Sequence, residues 1–336
     1  MDIFGDIGGR TNGVVIHHWD TDGLVSAALL RNYFQQHYPE KKLALFTPII
    51  TNYYLTSDQY DYLQQQGYEF IITCDLNFPS TTVQNLAQRW PGQVYFFDHH
   101  HHPAPHDNVH YYNAEHPACA SHIAERLHLP YDILPVIAMV GDREDGIQQD
   151  KLYYPYVQAV LGEYNLTFGQ LLEARRLIDS NYIADDYTGI TETVQLLQDD
   201  PMSIFSDLRL KDNLTKIDEE MTRLIVLSGQ ELSAGVMYWE INTHFNLLSH
   251  ITRALSRQYP DKIIVTRQLK NNQHNCYVRS RLNNFDARPL IALAHELGLN
   301  SGGKPEVAGI IIPPEQLDTV FPKIQSYLVS TYGQPH

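Results

Sequence analysis

Val14-Val15-Ile16-His17-His18-Trp19-Asp20-Thr21-Asp22-Gly23 places an apolar, β-branched run directly before a cluster of acids and imidazoles. The run reads as a strand, and the cluster falls at its carboxyl end, where a parallel α/β sheet presents its ligand edge. Three later segments extend the pattern. Asp75 follows Phe70-Ile71-Ile72-Thr73-Cys74, Asp98-His99-His100 follows Val94-Tyr95-Phe96-Phe97, and Gly141-Asp142 closes a helical stretch. Positions two apart in a loop face the same way, so His18, Asp20 and Asp22 are expected to project together. Gly23 is expected to turn the backbone tightly into a helix beginning near Leu24, whose positive end would suit a phosphate.

Each segment alone has an ordinary explanation. Asp-x-Asp is commonly a solvated turn or a helix cap, an Asp after a strand a turn residue, and a His pair a surface feature. Asp142, beside Arg143, Glu144 and Asp145, fits an exposed acidic loop. Their occurrence together, in order, at the exits of one sheet-like region points instead to a metal site, and their number to two ions. Asp75 is suited to bridge, with His99 and Asp142 completing the second ion. Mixed carboxylate and imidazole ligands suit Mn²⁺, with Mg²⁺, Co²⁺ or Fe²⁺ as alternatives. Two such ions roughly 3.5–4 Å apart would hold a bridging hydroxide as nucleophile and polarise a phosphoryl group. His100 would face the substrate, donating to a phosphate oxygen or protonating the leaving oxygen.

Around these segments, residues 12–145 alternate strand signals (near 13–17, 43–50, 69–74, 93–98 and 109–113) with helix signals (near 24–37, 58–66, 80–89, 118–128 and 131–141). That alternation predicts an α/β fold with a doubly wound parallel sheet. From about 151 to 232 the reading is mainly helical. A smaller α/β unit then starts near 234, with strands near 234–240, 262–267, 276–282 and 307–313 and helices near 246–258, 287–297 and 315–331. The expected division is a metal-binding domain over 1–190, a helical linker over 191–232 and a second domain over 233–336. Two domains suit a chain of 336 residues.

A net charge of −15 argues against a broad grip on a long polyanion. Residues 201–336 nevertheless carry 14 Lys+Arg against 13 Asp+Glu, leaving 10 against 26 in residues 1–200. The acid therefore collects where the ions are expected, and the second part keeps enough arginine to hold a phosphate. No apolar run approaches the roughly 20 residues that cross a bilayer, and Met1-Asp2-Ile3-Phe4-Gly5-Asp6 carries acid where a signal peptide carries base. Cys74, Cys119 and Cys276 are too few for a disulfide scaffold, so a reducing cytoplasm is expected. The histidine run 99–102 is internal, unlike an expression tag.

His18-Trp19-Asp20-Thr21-Asp22-Gly23, Asp75, Phe96-Phe97-Asp98-His99-His100 and Gly141-Asp142 resemble the four motifs of the DHH phosphoesterase superfamily. Tyr277-Val278-Arg279-Ser280-Arg281 and Ser301-Gly302-Gly303-Lys304-Pro305-Glu306-Val307-Ala308-Gly309 look like the substrate strand and glycine-rich loop of the associated DHHA1 domain. The resemblance implies one ion on His18, Asp20 and Asp75, and another on Asp22, Asp75, His99 and Asp142. It places His100 on phosphate, Asp98 behind the histidines as their orienting group, and Asn52 near the bound phosphate. It assigns substrate binding to Arg279, Arg281, Gly302, Gly303 and Lys304. Lys304 departs from the histidine usual in that loop; it supplies a cation but does not relay a proton near neutral pH. Arg279 and Arg281, two apart on a strand, face the same side and suit a bidentate grip on phosphate; the lesser reading is a pair of surface arginines on an edge strand.

Within the superfamily the resemblance implies a metal-dependent exonuclease on short single-stranded RNA or DNA, of the RecJ-like type in its short archaeal form. The alternatives are a nanoRNase-like enzyme acting on short oligonucleotides, pAp or cyclic dinucleotides, an inorganic pyro- or polyphosphatase, and a replication scaffold of the same fold. The chain has no room for the extra OB-fold and terminal domain of a full bacterial RecJ. Retention of every metal position argues against pure scaffolding, while leaving room for a replication partner such as a GINS-like complex.

Overall fold

The computed structural model describes residues 3–100 and 106–333 of the chain, which divides into two compact units, residues up to 214 and residues from 215. In the first unit the chain runs β1 (Asn12–His17), α1 (Thr21–His37), β2 (Lys42–Phe46), α2 (Ser57–Gln65), β3 (Phe70–Cys74), α3 (Ser80–Arg89), β4 (Val94–Asp98) and β5 (Val109–Asn113). Helices α4 (Cys119–Arg126), α5 (Ile133–Arg143), α6 (Tyr154–Glu163), α7 (Phe168–Ile183) and α8 (Tyr187–Asp199) follow, and α9 (Leu208–Ile225) crosses the division.

All five strands are parallel, in the order β2-β1-β3-β4-β5. Alternate strand residues enter two separate cores. Val15, Ile72, Tyr95 and Phe97 pack with α1, α4 and α5 residues, whereas Val14, Ile16, Ile71 and Phe96 pack with Leu63 of α2 and Leu86 of α3. This double burial explains why β1, β3 and β4 are apolar on both faces rather than alternating. In this strand order the chain reverses direction about β1 and β3, and the crevice beyond their carboxyl ends is where such sheets bind ligands. The first core also takes in Ile190, Val194 and Leu197 of α8. The first unit thus runs well past residue 190, into the stretch expected as a linker.

The second unit contains β6 (Gln230–Ser233), β7 (Val236–Glu240), α10 (Leu248–Gln258), β8 (Ile263–Lys270), β9 (Gln273–Ser280), α11 (Arg288–Glu296), β10 (Asn300–Lys304), β11 (Val307–Ile312) and α12 (Leu317–Tyr332). Its sheet, ordered β10-β11-β9-β8-β7-β6, is antiparallel except for the β7–β8 pair. Val236, Val265, Val278 and Ile310 bury against Leu290 and Ile324. β6 and β10 lie outside the strand set expected from sequence. The expected glycine-rich loop is instead the edge strand of a hairpin, with Gly302 opposite Gly309 and Gly303 opposite Ala308. Gly303 has φ +154°, and a Cβ there would meet the Val307 carbonyl oxygen at 2.0 Å, so only glycine fits.

Candidate metal centre

The loop after β1 is shorter than expected. α1 begins at Thr21 with Asp20 as its N-cap, so Asp22 stands in the first helical turn rather than in a loop. The Asp20 carboxylate accepts the Gly23 N–H at 3.2 Å, satisfying one free donor of the helix start. Gly23 therefore makes no turn into a later helix. Its missing Cβ matters because that atom would lie 2.4 Å from the His18 carbonyl oxygen, so glycine lets the His18 segment fold onto the helix. Asp75 leaves β3 in the left-handed region at φ +59°, a costly conformation for a non-glycine residue that turns its carboxylate over the strand ends.

These elements bring the six expected ligands together. His18, Asp20 and Asp75 offer one donor atom each, all within 4.8 Å of one another, and Asp22, His99 and Asp142 do the same. Asp75 joins the two groups. Its Oδ2 is 3.5 Å from His18 Nδ1 and its Oδ1 is 3.4 Å from His99 Nε2. His18 Nδ1 lies 2.8 Å from Asp20 Oδ1, and His99 Nε2 lies 3.6 Å from Asp22 and 3.3 Å from Asp142. His101 and His102 lie outside the described residues.

A second layer of contacts aims these groups. Asp22 accepts the N–H groups of Cys119 at 2.6 Å and Ala120 at 2.9 Å, so the start of α4 grips it. His99 Nδ1 donates to the His116 carbonyl at 3.1 Å, which fixes the tautomer and leaves the Nε2 lone pair facing Asp22, Asp75 and Asp142. Asp98 takes the backbone N–H groups of His99 and His100 and the Nδ1–H of His100 at 2.7 Å. Asp98 therefore orients the His100 ring, whereas the His99 ring is oriented by His116, which the sequence did not indicate. Thr21 donates from its N–H and hydroxyl to Asp179 at 2.9 and 2.7 Å, and Arg175 pairs with both Asp179 and Glu144. Asp179 and Arg175 hold the start of α1 and were likewise not indicated.

The electrostatics favour cations. Burial and the neighbouring carboxylates of Asp22, Asp20, Asp142 and Asp98 push Asp75 well above the usual carboxylate range. Burial and Asp22 push Asp142 up to about 7, with His99 opposing. Burial also raises Asp22, against the pull of His99 and the α4 N–H groups. Asp20 is the exception: burial would raise it, but His18 and the Gly23 N–H hold it below the usual range. For His100, burial would favour the neutral ring, and Asp98 overcomes this to raise its pKa. His18 Nε2, His99 Nε2 and Asp75 Oδ1 are buried without a hydrogen bond. Crowded acids that repel one another, beside orphaned imidazole nitrogens, are what divalent cations relieve, so the residues present fit metal.

Asn52 sits, half-buried, on the loop after β2 and donates its backbone N–H to Ile49. The next residue, Tyr53, stacks on the His18 ring. In the second unit Arg279 and Arg281 line a cleft of about 400 Å³ with Arg253, Ser256, Arg257, Ser280 and Glu306. Arg253 and Arg257 stand one turn apart on α10, an i, i+4 pair visible in the sequence but not picked out from it. Burial and the guanidinium of Arg253, joined by those of Arg257 and Arg281, lower the Arg279 pKa against the Glu306 carboxylate 3.8 Å away. Gly302, Gly303 and Lys304 are exposed on β10 and do not line this cleft.

Comparisons with known proteins bear on both units. Residues 12–150 match the model of the DHH family, N-terminal domain, and residues 231–330 match that of the DHHA1 domain. No curated protein sequence matches the chain. Among solved structures, a protein described as a member of the s1p family of ribosomal proteins, DHH domain, is 17% identical with a TM-score of 0.67, covering 99% of this chain and 88% of that one. The exonuclease RecJ bound to manganese is 17% identical with a TM-score of 0.64, covering 97% and 92%. A pGpG-specific phosphodiesterase from Vibrio cholerae is 14% identical with a TM-score of 0.52, covering 96% and 99%. At such identities these likenesses establish the fold.

Proposed function

Because the chain belongs to the DHH/DHHA1 superfamily, we propose that it is a divalent-metal-dependent phosphodiesterase that removes nucleotides exonucleolytically from short single-stranded nucleic acid. The observation that carries this reading is the pair of ligand groups meeting at Asp75. His18, Asp20 and Asp75 would hold one ion, and Asp22, Asp75, His99 and Asp142 the other, with Mn²⁺ the best match to the donor set. When bound, the ions supply Lewis acidity toward the phosphoryl oxygens and lower the pKa of water.

The chain's own groups do the rest. The His100 side chain is 42% exposed, with Nδ1 tied to the fully buried Asp98. Asp98 thereby keeps the ring in one orientation and favours its protonated form, which suits it to give a proton to the leaving oxygen. His116 holds His99 as the Nδ1–H tautomer throughout. The arginine cleft would bind substrate phosphates through charge-assisted, forked hydrogen bonds. Exposed Gly302, Gly303 and Lys304 offer backbone and a cation to a strand end.

A second reading, cleavage of a linear or cyclic dinucleotide, draws support from the cleft of about 400 Å³, a volume suited to a small ligand. Incubating the protein with Mn²⁺ or EDTA against end-labelled RNA and DNA of graded length, pAp, cyclic dinucleotides and pyrophosphate tests both readings. Metal-dependent release of mononucleotides from oligomers supports the first, and turnover confined to dinucleotides the second. Turnover of pyrophosphate alone would refute both.

A further inference from the structure

Tyr53 is a large aromatic residue left 49% exposed beside a buried metal-ligand cluster. Its ring stacks on the His18 imidazole with centroids 5.7 Å apart at 29°, and lies 5.3 Å from the Trp19 ring. Trp19 is buried and packs on His18 at 4.3 Å. The three rings form a layer whose inner members are fixed and whose outer member meets solvent.

The loop that carries Tyr53 is held at both ends. Ile50 and Leu55 are buried anchors. The Ile50 N–H donates to the Tyr187 hydroxyl at 2.8 Å, and the Asn52 N–H closes a turn on the Ile49 carbonyl at 2.8 Å. Between them Thr51 adopts φ +75°, a conformation costly for a β-branched residue. This anchored turn presents the half-exposed Tyr53 ring over the His18 face.

We propose that Tyr53 is the stacking platform for the nucleobase attached to the phosphate that reacts at the His18–Asp20–Asp75 group. A base has a π-face whatever its identity, so a fixed aromatic ring binds nucleotides without sequence preference, at little cost in ordering. The assignment rests on the phosphodiesterase reading and narrows it to nucleotide substrates, since pyrophosphate and polyphosphate carry no ring to stack.

The test compares full-length, Mn²⁺-loaded wild type, Tyr53→Phe and Tyr53→Leu on a short end-labelled oligonucleotide and on the same oligonucleotide with an abasic terminal residue. Mn²⁺ affinity of each variant is measured by calorimetry. Wild type and Tyr53→Phe are expected to prefer the base-bearing substrate by about 5- to 150-fold in kcat/KM, the equivalent of stacking one base. In Tyr53→Leu that preference should collapse toward one, mainly through KM, with Mn²⁺ affinity retained. An unchanged preference in Tyr53→Leu, or a parallel loss on both substrates with weakened Mn²⁺ binding, would overturn the assignment and leave Tyr53 as a cover for His18. Inactivity of wild type on both substrates would overturn the exonuclease reading and the assignment with it.

Discussion

Asp75 and His99 face each other across 3.4 Å, Oδ1 to Nε2, with neither atom engaged in a hydrogen bond. Two buried polar atoms in that position cost stability unless something fills the space between them. The same Asp75 turns its other oxygen to His18. One carboxylate thus belongs to both ligand groups, and it is held there by a left-handed backbone at the end of β3.

Asp75→Asn preserves the shape of that side chain while removing its charge. The expected outcome is loss of activity to background and a fall in bound Mn²⁺ below two equivalents by calorimetry. The metal-free variant should melt at a higher temperature than metal-free wild type at pH 8, because the neutral amide carries neither the cost of burying a charge among the neighbouring carboxylates nor that of holding a proton there. Full Mn²⁺ stoichiometry with near-normal turnover would remove Asp75 from the centre.

Metal affinity should rise with pH. Asp142 is raised to about 7 and Asp75 is raised well above the usual range, so the metal-free cluster holds protons that a cation must displace. A carboxyl with a raised folded-state pKa stabilises the fold fully below its unfolded value and loses that contribution as pH climbs through the folded one. Metal-free protein should therefore lose thermal stability between about pH 4 and 7 from Asp142. The Mn²⁺-induced gain in Tm should be larger at pH 8 than at pH 5.5. An equal gain at both would contradict the proton displacement.

Asp98→Asn should leave metal content intact and lower turnover by about 10- to 100-fold, the usual cost of losing an orienting partner. Because Asp98 raises the His100 pKa, the alkaline limb of the pH–rate profile should move toward lower pH in the variant. A fall in rate with an unmoved profile would mean that His100 does not deliver the proton.

Arg253→Ala and Arg281→Ala should each raise KM for oligonucleotides by about 10- to 100-fold, the loss of one charge-assisted hydrogen bond, with kcat changed little. A small generic phosphodiester should be cleaved as before. Equal loss on both substrates would place these arginines in structure rather than recognition.

The first-unit sheet was legible because β1, β3 and β4 are buried on both faces and so read as unbroken apolar runs, each ending in its ligand. His18, Asp75 and His99 converge for the same reason, since the strand order fixes which carboxyl ends are neighbours, whereas Asp22 comes from the first turn of α1 and Asp142 from the end of α5. The start of α1 falls at Thr21, ahead of the expected Leu24. Asp20 is itself a cap residue, and its role as the N-cap places Asp22 in the helix, a signal that the sequence contained. His116 and Asp179 were not legible, because Asp179 meets Thr21 across 158 residues through packing of α7 on α1. β10 carries Asn-Ser-Gly-Gly-Lys, with no strand propensity, and is a strand only because β11 offers it a ladder.

Two cations sharing Asp75 would be seen in anomalous diffraction at the manganese edge from Mn²⁺-soaked crystals. Two peaks are expected, one among His18, Asp20 and Asp75 and the other among Asp22, His99 and Asp142, with Asp75 reaching both. A single peak, or peaks away from these residues, would contradict it.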